Sequence, residues 1–469
     1  MGSPPRPFPS PHSWPESKAR DDGLATSSRE GTVTSSTEGM ACRRRPPSHL
    51  LQSPPSCTFF CHFFRHQPPG PGATGQAQAQ PLEDDDLLSE ILLRLPAKPS
   101  SLPRASLVCK RWRRVVSDSV FLRRFRSHHG KPPLLGFFKV SYRNPIFIPT
   151  LDPPDRISAA RFSLQLPLPG GGGGSPPVFG HFYHMFAFRH GRALIYDRSL
   201  LQITVWDPVT GDRRAVDIPE PFGRRPVYVS NWAMRCVDGH VHGGCHSSPF
   251  EVVVIGFNKY RRRLFTCVYS SDTGNWGKVI SNAFNFSGHK TRSSTLVGNF
   301  FYCLFQSVIG TVILQFDLDT QIPAQIDVLP EMHGDGGDQI SPAEDGGLLF
   351  LAVRDFSLNL WKHKINSDSA AAGWVLEKTI ELDRLLPFEP RPDTDTPAPM
   401  NILGFAEEHN VVFLATAIGV FMVNLESMQF KILPQAPGVG ICHPFTSFYT
   451  KVTFIVPLTA WFLDELSYI

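Results

Sequence analysis

Hydrophobic positions along the chain follow two different rhythms, and a third stretch has neither. Between Leu82 and Phe125 the apolar residues fall at helical spacing. Leu87, Leu88, Ile91, Leu92 and Leu95 recur at i, i+1, i+4, i+5 and i+8, one stripe of a helix. The aspartates Asp84 to Asp86 ahead of them suit a helix start, where free N–H groups and the helix dipole favour anions. Pro96 disfavours continuation, and "AKPSSLP" reads as a connector. Ala105, Val108, Cys109, Trp112, Val115 and Val116 predict a second amphipathic helix, and Phe121, Leu122 and Phe125 a short third.

From about Pro133 the rhythm changes to short runs of Phe, Val, Ile and Leu separated by Gly, Pro, Asn and Asp, as strands and hairpins require. Turn-like markers recur at Asp152, Asp207, Asp272, Asp317, Asn366 and Asn424, spaced 55, 65, 45, 49 and 58 residues apart. An aliphatic–proline step follows most of them: Leu166–Pro167, Ile218–Pro219, Leu329–Pro330, Leu386–Pro387 and Leu433–Pro434. Glycine-bearing turns also precede apolar strands in "RHGRALIY", "LVGNFFYCLF" and "EDGGLLFLAV". A period of this length suits a four-stranded propeller blade with a long loop. The expected fold is therefore multidomain, α plus all-β: a three-helix module over 81–131, then a β-propeller-like domain of about six blades over 132–469. A β-sandwich is the structural competitor. The regular Gly-His and Trp-Asp pairs of WD repeats are missing, and Gly-Gly pairs do not recur once per unit as in kelch repeats. The C-terminal "LTAWFLDELSYI" resembles no blade strand, which leaves closure of the ring in question.

Residues 1–80 carry 13 prolines, 7 glycines and 11 serines without period, so a disordered tail is expected there. Within it, Cys57, Cys61, His62 and His66 are zinc-type ligands, but no second pair stands at a distance. The chain's 44 prolines and 37 glycines weigh against a helical bundle. With 46 basic and 42 acidic residues, charge argues for neither a nucleic-acid nor a membrane partner. Nine irregularly spaced cysteines and no apolar signal segment point to free thiols in a reducing compartment, the cytoplasm and/or nucleus. The longest apolar run, Val411 to Val423, is too short to span a bilayer and reads as two strands and a turn.

The helical segment, "LEDDDLLSEILLRLP…SLPRASLVCKRWRRVVSDSVFLRRF", resembles an F-box, the module that docks on the Skp-type adaptor of cullin-based ubiquitin ligases. Its joint pattern is a leucine-rich first helix, then Leu-x-x-x-x-x-Val-Cys-Lys-x-Trp, then Ser-Asp and a closing Phe. It departs from the family's frequent Leu-Pro opening, because Glu83 follows Leu82. "RFRSHHGKPPLLGFF" and "DGHVHGGCHSSPFEVVV" are similar to segments of the large plant F-box families, those of grasses in particular. The resemblance implies a non-catalytic substrate adaptor without a cofactor, holding an unidentified target protein on its β domain and a cullin scaffold through the Skp-type subunit. It assigns adaptor contact to Leu82, Leu87, Leu88, Ile91, Leu92, Leu95, Leu107, Val108, Cys109 and Trp112, shared with the module's own core.

Other candidate chemistry is thinner. His240 and His242 in "DGHVHGGCHSS" would share one strand face, a workable spacing for a metal-dependent enzyme, with Glu251 the nearest glutamate; a glycine hairpin with solvated histidines is the alternative. Gly170 to Gly174 lacks the Lys-Ser/Thr of a phosphate loop, and no G-x-S-x-G occurs. Lys259 with Arg261, Arg262 and Arg263 reads as a solvated hairpin that could favour acidic substrates. A propeller binding module acting outside a ligase is the remaining alternative.

Overall fold

The computed structural model describes residues 84–139, 145–164, 183–198, 200–237, 248–258, 260–284, 290–307, 310–334, 336–365, 372–387, 400–433 and 440–449. The helical module comes first. Helix α1 (Asp85–Leu93) begins where the Asp84 carboxylate accepts the N–H groups of Asp86 at 2.8 Å and Leu87 at 3.4 Å. Leu95 therefore lies beyond the helix, in the connector. The expected second helix is divided into α2 (Ser101–Ser106) and α3 (Lys110–Ser117). Its break is at Cys109, whose backbone is extended (φ −161°, ψ 171°) and whose Sγ accepts the Trp112 N–H at 3.5 Å. The start of α2 also lies inside the expected connector. Pro103 is tolerated there because the first turn of a helix has no intrahelical partner for its N–H. Helix α4 (Ser119–His129) is capped by Asp118, which accepts the Phe121 N–H at 2.8 Å, and ends at Gly130 with φ 64°.

Six antiparallel sheets follow among the described residues, arranged as propeller blades. Blade 2 runs Tyr183–Arg189, Arg192–Asp197, Gln202–Trp206, Arg213–Asp217. Blade 3 runs Tyr228–Cys236, Phe250–Asn258, Arg263–Ser270, Asn275–Trp276, with Ile280–Ala283 also paired to its third strand. Blades 4, 5 and 6 begin at Lys290, Gln339 and Asn401, each with four strands in sequence order. Blade 1 is built from both ends of the domain. Cys442–Thr446 pairs antiparallel with Leu134–Lys139, which pairs with Ile146–Pro149. The ring is thus closed by the strand Cys442–Thr446; "LTAWFLDELSYI" itself lies outside the described residues. First strands of successive blades contact one another all the way round the central channel.

The core is not one mass but a layer between each pair of neighbouring blades. Val253, Ile255 and Phe257 pack with blade 4, whereas Val252 and Val254, on the other pleat face, pack with blade 2. Leu349, Leu351 and Val353 likewise face blade 6, and Leu348, Phe350 and Ala352 face blade 4. A blade buried on both faces therefore shows a solid apolar run, with the two-residue period hidden inside it. The Val411 to Val423 run resolves into the strands Val411–Thr416 and Gly419–Asn424.

The loose repeat has a local cause. Asp207, Asp317 and Asn424 all stand at the turn between third and fourth strands, each accepting two backbone N–H groups two and three residues on: Val209 and Thr210, Asp319 and Thr320, Glu426 and Ser427. Asp272 occupies the same place in blade 3, and Asn366 falls outside the described residues.

Candidate functional site

Ten residues were expected at an adaptor face, and the fold sorts them. Leu88 and Leu92 are fully buried with Leu93, Leu102, Ala105, Val115, Val116, Phe121 and Phe125. Of the two destinations expected for these residues, Leu88 and Leu92 therefore take the module's own core. Leu95 and Trp112 are partly buried against the same core. Leu87 and Ile91, one turn apart on α1, are 48% and 44% exposed. Leu107 and Val108, at the break between α2 and α3, are 57% and 54% exposed, and Cys109 is exposed beside them. Arg111 Nε and Arg114 Nη2 bond the Asp85 carboxylate at 2.7 and 2.8 Å, drawing the starts of α1 and α3 together. Those guanidiniums, Arg111 first, hold the Asp85 carboxyl below its usual range. Leu87 thus borders the same junction as Leu107 and Val108. Leu82 lies outside the described residues. Val120, 53% exposed on α4, is an apolar surface position that no sequence signal separated from its neighbours.

The helical module is joined to the ring by more than the chain. Phe448, just past the closing strand, is 1% exposed and sits in the helical core, its ring centroid 6.5 Å from that of Phe125. Asp155, after the third strand of blade 1, accepts the Ser100 N–H at 3.2 Å and the Ser100 hydroxyl at 2.6 Å, with Lys98 Nζ 3.6 Å away. His409, in the turn between the first two strands of blade 6, lies beside Lys131 and Pro132. Strands alternate in direction, so these turns all open on one face of the ring: the face where first strands end.

The central channel holds a cavity of about 310 Å³, lined by residues at both the starts and the ends of first strands. Three blades meet there in one polar triangle. Arg189 Nη2 donates to Glu407 Oε2 at 2.8 Å and to the Thr295 hydroxyl at 2.9 Å, and that hydroxyl donates to Glu407 Oε1 at 2.6 Å. The two charges neutralise each other, and the triangle ties blades 2, 4 and 6. His443 lines the same cavity, and burial pushes its imidazole down to about 4. None of these channel residues was singled out by sequence, because each lies more than 100 residues from its partner.

Among the described residues no group of three or more His, Cys, Asp or Glu is placed to hold a metal ion. Cys57, Cys61, His62, His66, Gly170 to Gly174, His240 and His242 lie outside the described residues. Glu251 is paired with Arg235 at 2.6 Å. No helix among the described residues is long and apolar enough to cross a membrane.

An F-box domain matches residues 84–124, so the class is an F-box protein with a six-bladed propeller. The family described as "F-box protein AT5G49610-like, beta-propeller" matches residues 184–449, more than half of the chain. The chain belongs to that family, which is of plant type. None of the curated proteins compared matches it. Among solved structures it is similar to the Dos1 propeller (10% identity, 55% of this chain and 61% of that one, TM-score 0.30). It is also similar to a quinonprotein alcohol dehydrogenase-like protein from Bacteroides thetaiotaomicron (13%, 62% and 61%, 0.32). A nidogen/laminin complex matches at 11%, over 66% of this chain and 98% of that one, with a TM-score of 0.35. The chain spans about 61% of the length of the first two.

Proposed function

We propose that the chain is the target-recognition subunit of a cullin-based ubiquitin ligase, working in the cytoplasm or nucleus. Its F-box docks on a Skp-type adaptor, and its propeller holds the protein to be modified. The observation that carries this reading is the exposed apolar set Leu87, Ile91, Leu107 and Val108, beside a helical core that is already filled from within. Four large apolar side chains exposed on so small a module are the mark of a surface that a partner covers. Ubiquitin transfer then needs no nucleophile of this chain, since tethering raises the local concentration of target near the loaded enzyme. The anchoring of the helices by Phe448 and Asp155 supports it, because a fixed spacing between adaptor and target favours productive transfer.

The test is capture of a purified Skp-type adaptor by the full chain. Leu87→Asp with Ile91→Asp is expected to abolish capture with the melting temperature held, because an unpaired charge enters the interface only on docking. Leu88→Asp is expected instead to unfold the helical module. Capture undiminished in the Leu87/Ile91 variant removes this face from the reading, and no capture by the wild type removes the ligase.

A further inference from the structure

The face opposite the F-box carries a concentration of arginine that the fold does not use. The turns between second and third strands, and the linkers between blades, open on that face. In blade 3 this turn contains Tyr260, Arg261 and Arg262, all exposed. In blade 2 it contains the exposed Arg198. The linker from blade 2 to blade 3 fills the space between them. It leaves blade 2 with the Ile218 N–H on the Leu201 carbonyl at 2.9 Å and joins blade 3 where Tyr228 pairs with Phe257. Phe222 and Val227 of this linker pack against Gly256, two strand residue pairs from the blade 3 turn. Arg224 and Arg225 project from it and are exposed.

Sequence scatters these arginines over 65 positions; the ring brings them to one edge. Segments 197–202, 217–227 and 258–263 together contain seven Lys or Arg against three Asp or Glu, an excess of four that equals the net charge of the entire chain. Of the three anions, Glu220 pairs with Arg224, Asp217 accepts from the Gln202 amide at 2.9 Å, and Asp197 accepts the Leu200 N–H at 3.1 Å. Arg263 is taken by Ser281. Among the described residues, Arg225, Arg261 and Arg262 have no acidic partner. The equivalent turns of blades 5 and 6, Asp355–Phe356 and Ala417–Ile418, carry no cation. Crowded like charges at a turn oppose folding, so nothing in the blade's own stability calls for them.

We propose that this edge of blades 2 and 3 is the target-docking surface, and that it takes a protein segment rich in oxyanions, either carboxylate or phosphate. The guanidinium is the cation whose planar fork matches both groups, and three uncommitted copies give charge and geometry together. This deepens the ligase reading by naming the class of target, and it places target and adaptor on opposite faces of the ring.

The experiment uses the full chain and fluorescein-labelled peptides read by anisotropy: alternating Glu and Gly, the same with phosphoserine for Glu, and the same with Gln. Both anionic peptides are expected to bind, the Gln peptide not, with affinity falling as salt rises from about 50 to about 300 mM. The ratio of the two anionic affinities tells which oxyanion is preferred. The triple variant Arg225→Glu, Arg261→Glu, Arg262→Glu is expected to lose binding by roughly tenfold or more while capturing the Skp-type adaptor as before. A milder variant, Arg261→Gln with Arg262→Gln, gives a smaller loss in the same direction. Equal binding of the Gln peptide, undiminished binding by the triple variant, or displacement of the peptide by a single-stranded oligonucleotide at lower concentration than by unlabelled peptide would each overturn the proposal. Failure of adaptor capture by the wild type would sink the ligase reading and leave the peptide result standing.

Discussion

Two imidazoles are held neutral by the fold. Burial pushes both His409 and His443 from the usual 6.5 down to about 4; for His409 the nearby Lys131 charge acts in the same direction and the Pro132 carbonyl against it. Their folded values lie below their unfolded ones, so the unfolded chain binds the extra protons between pH 6.5 and 4. The stabilisation is complete above about 6.5 and is lost as pH falls toward 4. The melting temperature is expected to drop across that window, and His409→Gln with His443→Gln to flatten the drop. An acid limb confined to below pH 4 would assign it to carboxylates instead. At this scale sequence was informative about caps and turns: Asp84, Asp207 and Asp317 bond backbone groups two or three residues away. The Arg189–Thr295–Glu407 triangle left no trace, because its members are brought together only by the ring.

Elements were legible in proportion to how local their causes are. The solid apolar runs of blades 3, 5 and 6 are strands because their neighbours cover both pleat faces, and turn residues mark where they end. The helix expected over Ala105 to Val116 is divided because its stripe mixes two destinations. Ala105, Val115 and Val116 go inward; Leu107, Val108 and Cys109 go to the surface. Periodicity registers apolar character without saying what covers it, so an exposed apolar face and a core face read alike. One glycine shows how closely elements are fitted. Gly404 sits at an irregularity of the first strand of blade 6, where an added Cβ would meet the Cys442 carbonyl of the closing strand. Gly404→Ala is expected to cost roughly 1–3 kcal/mol by overpacking, read as a shift in the denaturant midpoint. An unchanged midpoint would mean that the closing strand yields.

On the scale of the whole molecule, closure and anchoring use the same few residues. Cys442–Thr446 completes blade 1, and Phe448, two residues on, fills the helical core. Phe448→Ala is expected to destabilise by about 3–5 kcal/mol, the usual range for a buried phenylalanine. Amide exchange should then quicken in α1 and α4 more than in blades 3 and 4. Equal quickening throughout would make the anchor part of the ring rather than of the helices. The arrangement also sets how the two surfaces are presented: helices on the face where first strands end, uncommitted arginines on the other.

By itself the sequence determined the F-box, the all-β character of the remainder, the blade period and the basic turn. All of these depend on residues close together in the chain, where spacing and turn chemistry act directly. Tertiary structure decided which leucines are core and which are free, how the ring closes, and that arginines from two blades stand on one edge. These depend on pairing between residues as far apart in the chain as Leu134 and Thr446, and an apolar or charged side chain carries no mark of the partner that folding will bring to it.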